Sequence, residues 1–188
     1  HYDMLCSEAR LASLVAIAKG DLPARHWARL KRPTFAQGAD VGLQSWSGSM
    51  FEYLMPTLLV DEPAGSLLHA ATQVAVAMQR DQGRAWELPW GVSESAHAER
   101  DASLAYQYGP QGVARLAWRR TPVDEHVIAP YASLMATMVA PRAALRNLEA
   151  LDDLGARRGL GYVEAVDFTP SRQVGGSRFV VVQTTMAH

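Results

Sequence analysis

The sequence predicts an all-α fold, and two observations carry that reading. Apolar residues recur at helical spacing in about five or six segments, and a single short run near the C-terminus has the β-branched character of a strand. Met4, Leu11, Leu14, Val15 and Ala18 share one face of a first helix, which Gly20 and Pro23 stop. Residues 21–50 are rich in Pro, Gly, Gln and Ser without periodicity and read mostly as loop. A second helix is expected from Met50 to Leu59, kinked or shortened at Pro56, whose ring removes one backbone donor and clashes with the preceding turn. Leu67, Leu68, Ala71, Val74, Ala75 and Met78 set a third over 66–82, with Ser66 as its N-cap and Gly83 as its stop. The stretch from Trp86 to Ser95 suits a loop leading into a short helix. Tyr131 to Val139 and Pro141 to Leu154 read as two helices, Pro141 standing at a first helical position and Gly155 ending the second. The strand-like run is Arg178 to Gln183, around Phe179-Val180-Val181-Val182.

Composition narrows the function classes. The chain has 188 residues, 48% apolar and 20% charged, with net charge −1, which is a globular composition in a length that suits one domain over 1–188 or a segment of something larger. Phosphate binding runs on a concentrated excess of Lys and Arg, so no nucleic-acid partner is expected. Cys6 is the one cysteine, which excludes an internal disulfide and a thiolate metal cluster. Apolar runs such as Leu14 to Ala18 are far shorter than the roughly 20 residues a membrane helix needs. The start lacks an initiator Met and a signal-peptide layout, and so reads as lying inside a longer polypeptide.

The motifs that would carry nucleotide or serine chemistry are missing. Gly159-Leu160-Gly161 has no third glycine, and Ser45 to Ser49 does not give a Gly-x-Ser-x-Gly elbow. The six His residues are scattered with no pair at ligand spacing, so neither a metal nor another cofactor is expected. What remains is acids set among aromatic residues. Glu8 shares the helical face of Met4, Leu11 and Val15, where a carboxylate is costly without partners; alternatively, Ser7 caps the helix and Glu8 complements its dipole in the first turn. Glu94 lies in Pro89-Trp90-Gly91-Val92-Ser93-Glu94-Ser95, where a sugar's apolar face and polar rim would find aromatic, hydroxyl and carboxylate groups together; it too could be a dipole partner at a helix start. Glu52 in Phe51-Glu52-Tyr53 and Glu164 beside Tyr162 are further acids next to aromatics, each either a sugar contact or a buried, paired structural acid. Trp46, Trp90, Tyr106 and Tyr108 are candidate stacking platforms.

An ordered series of motifs then points to a family. It comprises Tyr2-Asp3-Met4-Leu5, Ser7-Glu8-Ala9-Arg10-Leu11, Ile17-Ala18-Lys19-Gly20, Ser45-Trp46-Ser47-Gly48-Ser49-Met50-Phe51-Glu52-Tyr53-Leu54-Met55-Pro56 and Pro89 to Ser95. It continues through Tyr106-Gln107-Tyr108, Ile128-Ala129-Pro130-Tyr131-Ala132, Tyr162-Val163-Glu164-Ala165-Val166-Asp167-Phe168-Thr169 and Met186-Ala187-His188. The series resembles the glycoamylase-like domain of bacterial cyclic β-1,2-glucan synthases over essentially the whole chain. One departure is Leu116-Ala117-Trp118-Arg119-Arg120, where the family has a Gly-Leu-Lys-Arg-Gly-like run.

The resemblance implies part of an α/α toroid of helical hairpins, incomplete in this segment, whose loops hold a linear β-1,2-glucan chain. It implies transglycosylation that joins the chain to its own other end, giving cyclic β-1,2-glucan. The alternatives are an endo-β-1,2-glucanase and a non-catalytic glucan-binding module. By the same resemblance Glu94 and Glu8 are the catalytic pair, and Trp46, Glu52, Trp90, Tyr106, Gln107 and Glu164 are substrate contacts. The implied partners are the glucan and other domains of the same polypeptide, on the cytoplasmic face of the bacterial inner membrane. Retention of configuration would set the two carboxyls about 5–5.5 Å apart, wider if a substrate hydroxyl relays the proton, and inversion roughly 6.5–9.5 Å.

Overall fold

The computed structural model describes residues 3–37, 40–119, 121–122 and 124–183. Tyr2 and the Met186-Ala187-His188 motif therefore lie outside the described residues. The described residues form six α-helices: α1 (Ala9–Ala18), α2 (Arg25–Arg29), α3 (Met50–Leu54), α4 (Leu67–Trp86), α5 (Pro130–Met135) and α6 (Pro141–Asp153). They alternate with nine short strands: β1 (Thr34–Gln37), β2 (Asp40–Leu43), β3 (Ser95–Arg100), β4 (Tyr106–Gly109), β5 (Val127–Ile128), β6 (Arg157–Arg158), β7 (Gly161–Tyr162), β8 (Ala165–Asp167) and β9 (Val180–Val182). The strands pair antiparallel as β1-β2, β3-β4, β5-β8-β9 and β6-β7.

This architecture overturns the expected all-α fold and, with it, the reading of the segment as part of an α/α toroid. The chain is mixed α and β. The reason lies in strand length, because two to six residues are too few for an alternating pattern to register against helical periodicity. β3 is the sharpest case. Ser-Ala-His-Ala-Glu-Arg contains no β-branched residue, and a helix was expected to follow Ser95. The strand pairs instead with β4, and two of its backbone donors go to distant acids: Ala96 N–H donates to Glu164 at 3.1 Å and Ala98 N–H to Asp167 at 2.9 Å. Long-range acceptors of that kind are invisible to local propensity.

Several elements follow their local chemistry closely. The Ser66 hydroxyl accepts the His69 N–H at the start of α4, and Pro141 occupies the first turn of α6. Past Leu54 the chain tightens into a 3-10 turn over Met55–Leu58 with Pro56 in its first turn. Helix α4 runs through Gly83 to Trp86 and stops on Glu87 at φ 55°, so Gly83 is not the stop that the sequence suggests. It is a packing glycine: a Cβ there would lie 2.8 Å from the Trp90 Cβ. Helix α1 begins later than expected. The Ser7 hydroxyl donates to Met4 O instead of capping, Met4 bridges to Lys31, and the buried face carries Arg10 and Ser13 while Val15 is 56% exposed.

One principal core joins the helices through Tyr53, Leu54, Leu116, Ile128, Leu151 and Val166, all essentially solvent-free. Each fully buried Leu or Ile there stabilises the fold by roughly 1.5–3 kcal/mol. A smaller cluster of Ala96, Val127, Ala165 and Val182 sits under β3 and the β5-β8-β9 sheet. Among the described residues no helix is long and apolar enough to cross a membrane.

Candidate functional site

The site is built on the loop 45–49, which two glycines seat against residues 111–117. Gly48 adopts φ 76°, and a Cβ on it would stand 2.4 Å from Val113 O, while one on Gly112 would stand 2.1 Å from Ser47 O. Only glycine tolerates that approach. The loop then wraps the Glu52 carboxylate. Five donors reach it: the Ser45 and Ser47 hydroxyls at 2.8 and 2.7 Å, and the backbone N–H of Trp46, Ser47 and Ser49 at 2.8, 3.0 and 3.2 Å. A carboxylate has about four lone-pair sites, so this one is saturated.

Beneath it, the buried Arg10 guanidinium donates to Ser7 O, Glu52 O and Tyr53 O, and pairs with Glu62 at 2.7 Å. Arg10 thereby ties the start of α1 to α3. That fixes Glu8 one residue ahead of α1 and close to the Glu52 charge.

Glu8 and Glu94 are supplied very differently from Glu52. Glu8 is half-buried, and its Oε2 is solvent-free with no hydrogen-bond partner. Burial first, then the Glu52 charge, raise its carboxyl above the usual value, against the opposing pull of its own backbone N–H and Arg10. Glu94 stands at the entry to β3. Among the described residues no donor reaches its half-buried carboxylate, and it is pushed up to about 7 by burial first and then by the charges of Glu8 and Glu52. Glu8, Glu52 and Glu94 thus share one electrostatic neighbourhood, and among the described residues the donors are gathered on Glu52.

Further groups converge on Glu94. Glu164, nearly buried, accepts the Ala96 N–H through Oε1. Tyr108 of β4 stands opposite Ala96 in register, and burial first, then Glu94 and Glu164, hold its phenol above the ordinary range. Tyr131 of α5 is raised in the same way by burial first, with Glu94, Tyr108 and Glu164 adding, while its bond to Ser93 opposes the shift. Beside Tyr108, Tyr106 is exposed and the Gln107 amide donates to Tyr106 O of its own strand and to Ala105 O just before it. Trp46 is half-buried, and the Arg119 guanidinium lies 4.7 Å over its ring.

Trp90 falls elsewhere. It is buried, its backbone is held on both sides by Asn147, and it lines a cavity of about 430 Å³ with Arg80, Arg84 and Arg146 that none of Glu8, Glu94 and Glu164 reaches.

Of the residues singled out from sequence, then, the fold gathers Glu8, Glu94 and Glu164 with Glu52 beneath them, and sets Trp90 in the core. Sequence reasoning gave no role to Ser49 or Tyr131, which bind the Glu94 N–H and C=O, and read Ser93, which links the two, only as one of the hydroxyls beside Glu94. The Ser hydroxyls flank acids in their motifs, whereas nothing near Tyr131 in the chain announces its partner 37 residues away.

Comparison with known proteins places the chain in a family. Residues 1–188 match the Glycoamylase family, described as "Putative glucoamylase". The chain belongs to that family. The Glycoamylase chain is 50% identical over 187 residues to the cyclic beta-(1,2)-glucan synthase NdvB of Rhizobium meliloti (strain 1021), covering 100% of this chain. It spans 7% of that relative's length. An endo-beta-1,2-glucanase from Chitinophaga pinensis, solved with sophorotriose and glucose, superposes with a TM-score of 0.51 at 14% identity, over 73% of this chain and 35% of the glucanase. At that identity the likeness concerns the fold alone.

Proposed function

We propose that this chain carries a catalytic centre acting on linear β-1,2-glucan, with Glu8 and Glu94 as its carboxyl pair. The observation that carries the reading is the pair of half-buried carboxyls with raised pKa and, among the described residues, no side-chain hydrogen-bond donor, beside a third that is saturated. Glycosyl transfer needs one protonated and one ionised carboxyl. Glu94, pushed up to about 7 by burial first and then by the Glu8 and Glu52 charges, is suited to carry the proton.

In the proposed reaction the protonated member gives its proton to the departing glycosidic oxygen. The ionised member attacks the anomeric carbon or activates the acceptor. The acceptor is a hydroxyl from the other end of the same glucan, whose proton returns to the pair, so the cyclic product forms without net uptake of water. Trp46, Tyr106, Gln107 and Glu164 serve as glucan contacts around the pair, and Glu52 serves by shaping the loop that carries Trp46. The parent polypeptide supplies further domains and works at the cytoplasmic face of the inner membrane. The likeness to a glucanase favours a second reading, in which water is the acceptor and the centre hydrolyses the chain.

The test is to incubate the intact parent polypeptide with linear β-1,2-glucan and weigh the products by mass spectrometry. Rings one water lighter than linear chains of equal length support transglycosylation. Shorter linear products mean hydrolysis, and unchanged glucan that is nonetheless bound means a binding module.

A further inference from the structure

The hydroxyls of Ser49, Ser93 and Tyr131 lie in a closed circuit around Glu94, and counting protons fixes its direction. Each hydroxyl has one proton to donate and two lone pairs to accept with. Ser49 Oγ accepts the Glu94 N–H at 3.1 Å and, as the N-cap of α3, the Glu52 N–H of a capping box. Both lone pairs are then used, so its proton goes to Ser93 Oγ, 2.8 Å away. Ser93 Oγ also accepts the Phe51 N–H at 3.0 Å, so its own proton goes to the Tyr131 oxygen at 2.7 Å. The Tyr131 O–H then donates to the Glu94 carbonyl at 2.8 Å. The circuit begins at the Glu94 N–H and ends at the Glu94 C=O.

We infer that Ser49, Ser93 and Tyr131 are positioning residues that clamp the peptide of Glu94, holding its carboxyl in the geometry that glycosyl transfer requires; this rests on the proposed role of Glu94. The circuit spans three separate segments: the start of α3, the loop before β3, and α5. Ser49 and Ser93 are both solvent-free, so no water stands in for a missing member. The Glu94 side chain has no donor of its own among the described residues, so its position depends on its backbone. Ser49 also sits in the capping box with Glu52, which couples the saturated acid to the reactive one through a single oxygen. A ring of donors with one allowed direction resists small displacements, because shifting any member leaves a buried group unmatched.

The test uses the intact parent polypeptide with linear β-1,2-glucan as the probe, comparing Tyr131→Phe, Ser93→Ala and Glu94→Gln with the unaltered protein. Tyr131→Phe keeps the ring, which meets Phe51 edge-on at 6.3 Å, and deletes only the hydroxyl. A loosened Glu94 should lower kcat by roughly 10- to 100-fold with KM within about twofold, since misplacement by about 1 Å costs that much. The alkaline limb of the kcat profile should also move down in pH, because a freer carboxyl takes up water. Ser93→Ala should reproduce both changes. If Glu94→Gln is inactive while Tyr131→Phe and Ser93→Ala keep kcat and the pH limb, the clamp is refuted and the role of Glu94 stands. If Glu94→Gln turns over normally, the role of Glu94 fails and the clamp fails with it. Equal losses in kcat and in the folded fraction, with an unmoved pH limb, would reduce the circuit to a structural one and overturn the inference.

Discussion

Two glutamates of similar sequence context, each beside aromatics and serines, are treated in opposite ways by the fold. Around Glu52 the loop 45–49 turns five donors inward. Around Glu94 the donors stop at the backbone, and the carboxyl is left near two other acids and pushed up to about 7. The difference teaches that the supply of hydrogen-bond donors, more than burial, separates a structural acid from a reactive one. Glu52 is the more buried of the two, yet its charge is the better solvated, by protein rather than water.

Exchanging the treatment of either acid would break the comparison. The largest expected effect is on turnover. Glu94→Gln removes a member of the carboxyl pair and should lower glucan turnover by roughly 10²–10⁴-fold with binding retained, which initial rates and a binding isotherm would measure together. Glu52→Ala should act on the fold instead. It strands five donors, three of them backbone, and should cost about 4 kcal/mol or more in a denaturant titration, with the loop 45–49 losing protection in hydrogen exchange. Arg10→Met leaves Glu62 buried without its cation and should cost about 3–5 kcal/mol by the same measurement.

The smallest effect sharpens the comparison most. A carboxyl raised from 4.5 to about 7 in the folded state contributes stability that is fully present below pH 4.5 and lost as pH rises through about 7. Glu94→Gln removes that loss, so its thermal midpoint should exceed that of the unaltered protein at pH 8 and converge with it below pH 4.5. A gap of the opposite sign at pH 8 would mean that the Glu94 charge is well solvated.

Much of this was legible in the chain, for reasons that differ by element. The N-cap at Ser66 and the Pro141 start are local chemistry and could be read directly. Glu52, Glu94 and Glu164 stand out as carboxyls beside aromatics and Glu8 as one on an apolar helical face, whereas the choice of Glu94 and Glu8 as a pair rests on the family resemblance. The strands could not be read, since β3 is held by pairing with β4 and by Glu164 and Asp167, which accept two of its backbone protons from about 70 residues away. Trp90 looked like a stacking platform in its motif, yet the space above Gly83 makes it core. The separate fates of Glu52 and Glu94 depend on Gly48 and Gly112 letting one loop close tightly, a consequence of contact that spacing does not encode.

The central claim concerns the environment of Glu94, and the most direct test is a pH titration of the glutamate side-chain carboxyls by ¹³C NMR in the folded protein. Glu94→Gln and Glu8→Gln would serve as assignments. The account predicts one carboxyl with a midpoint near 7, absent in Glu94→Gln and shifted down in Glu8→Gln, where one of the two charges that raise it is gone. Glutamates that all titrate near 4.5, or a midpoint near 7 that Glu8→Gln leaves in place, would contradict it.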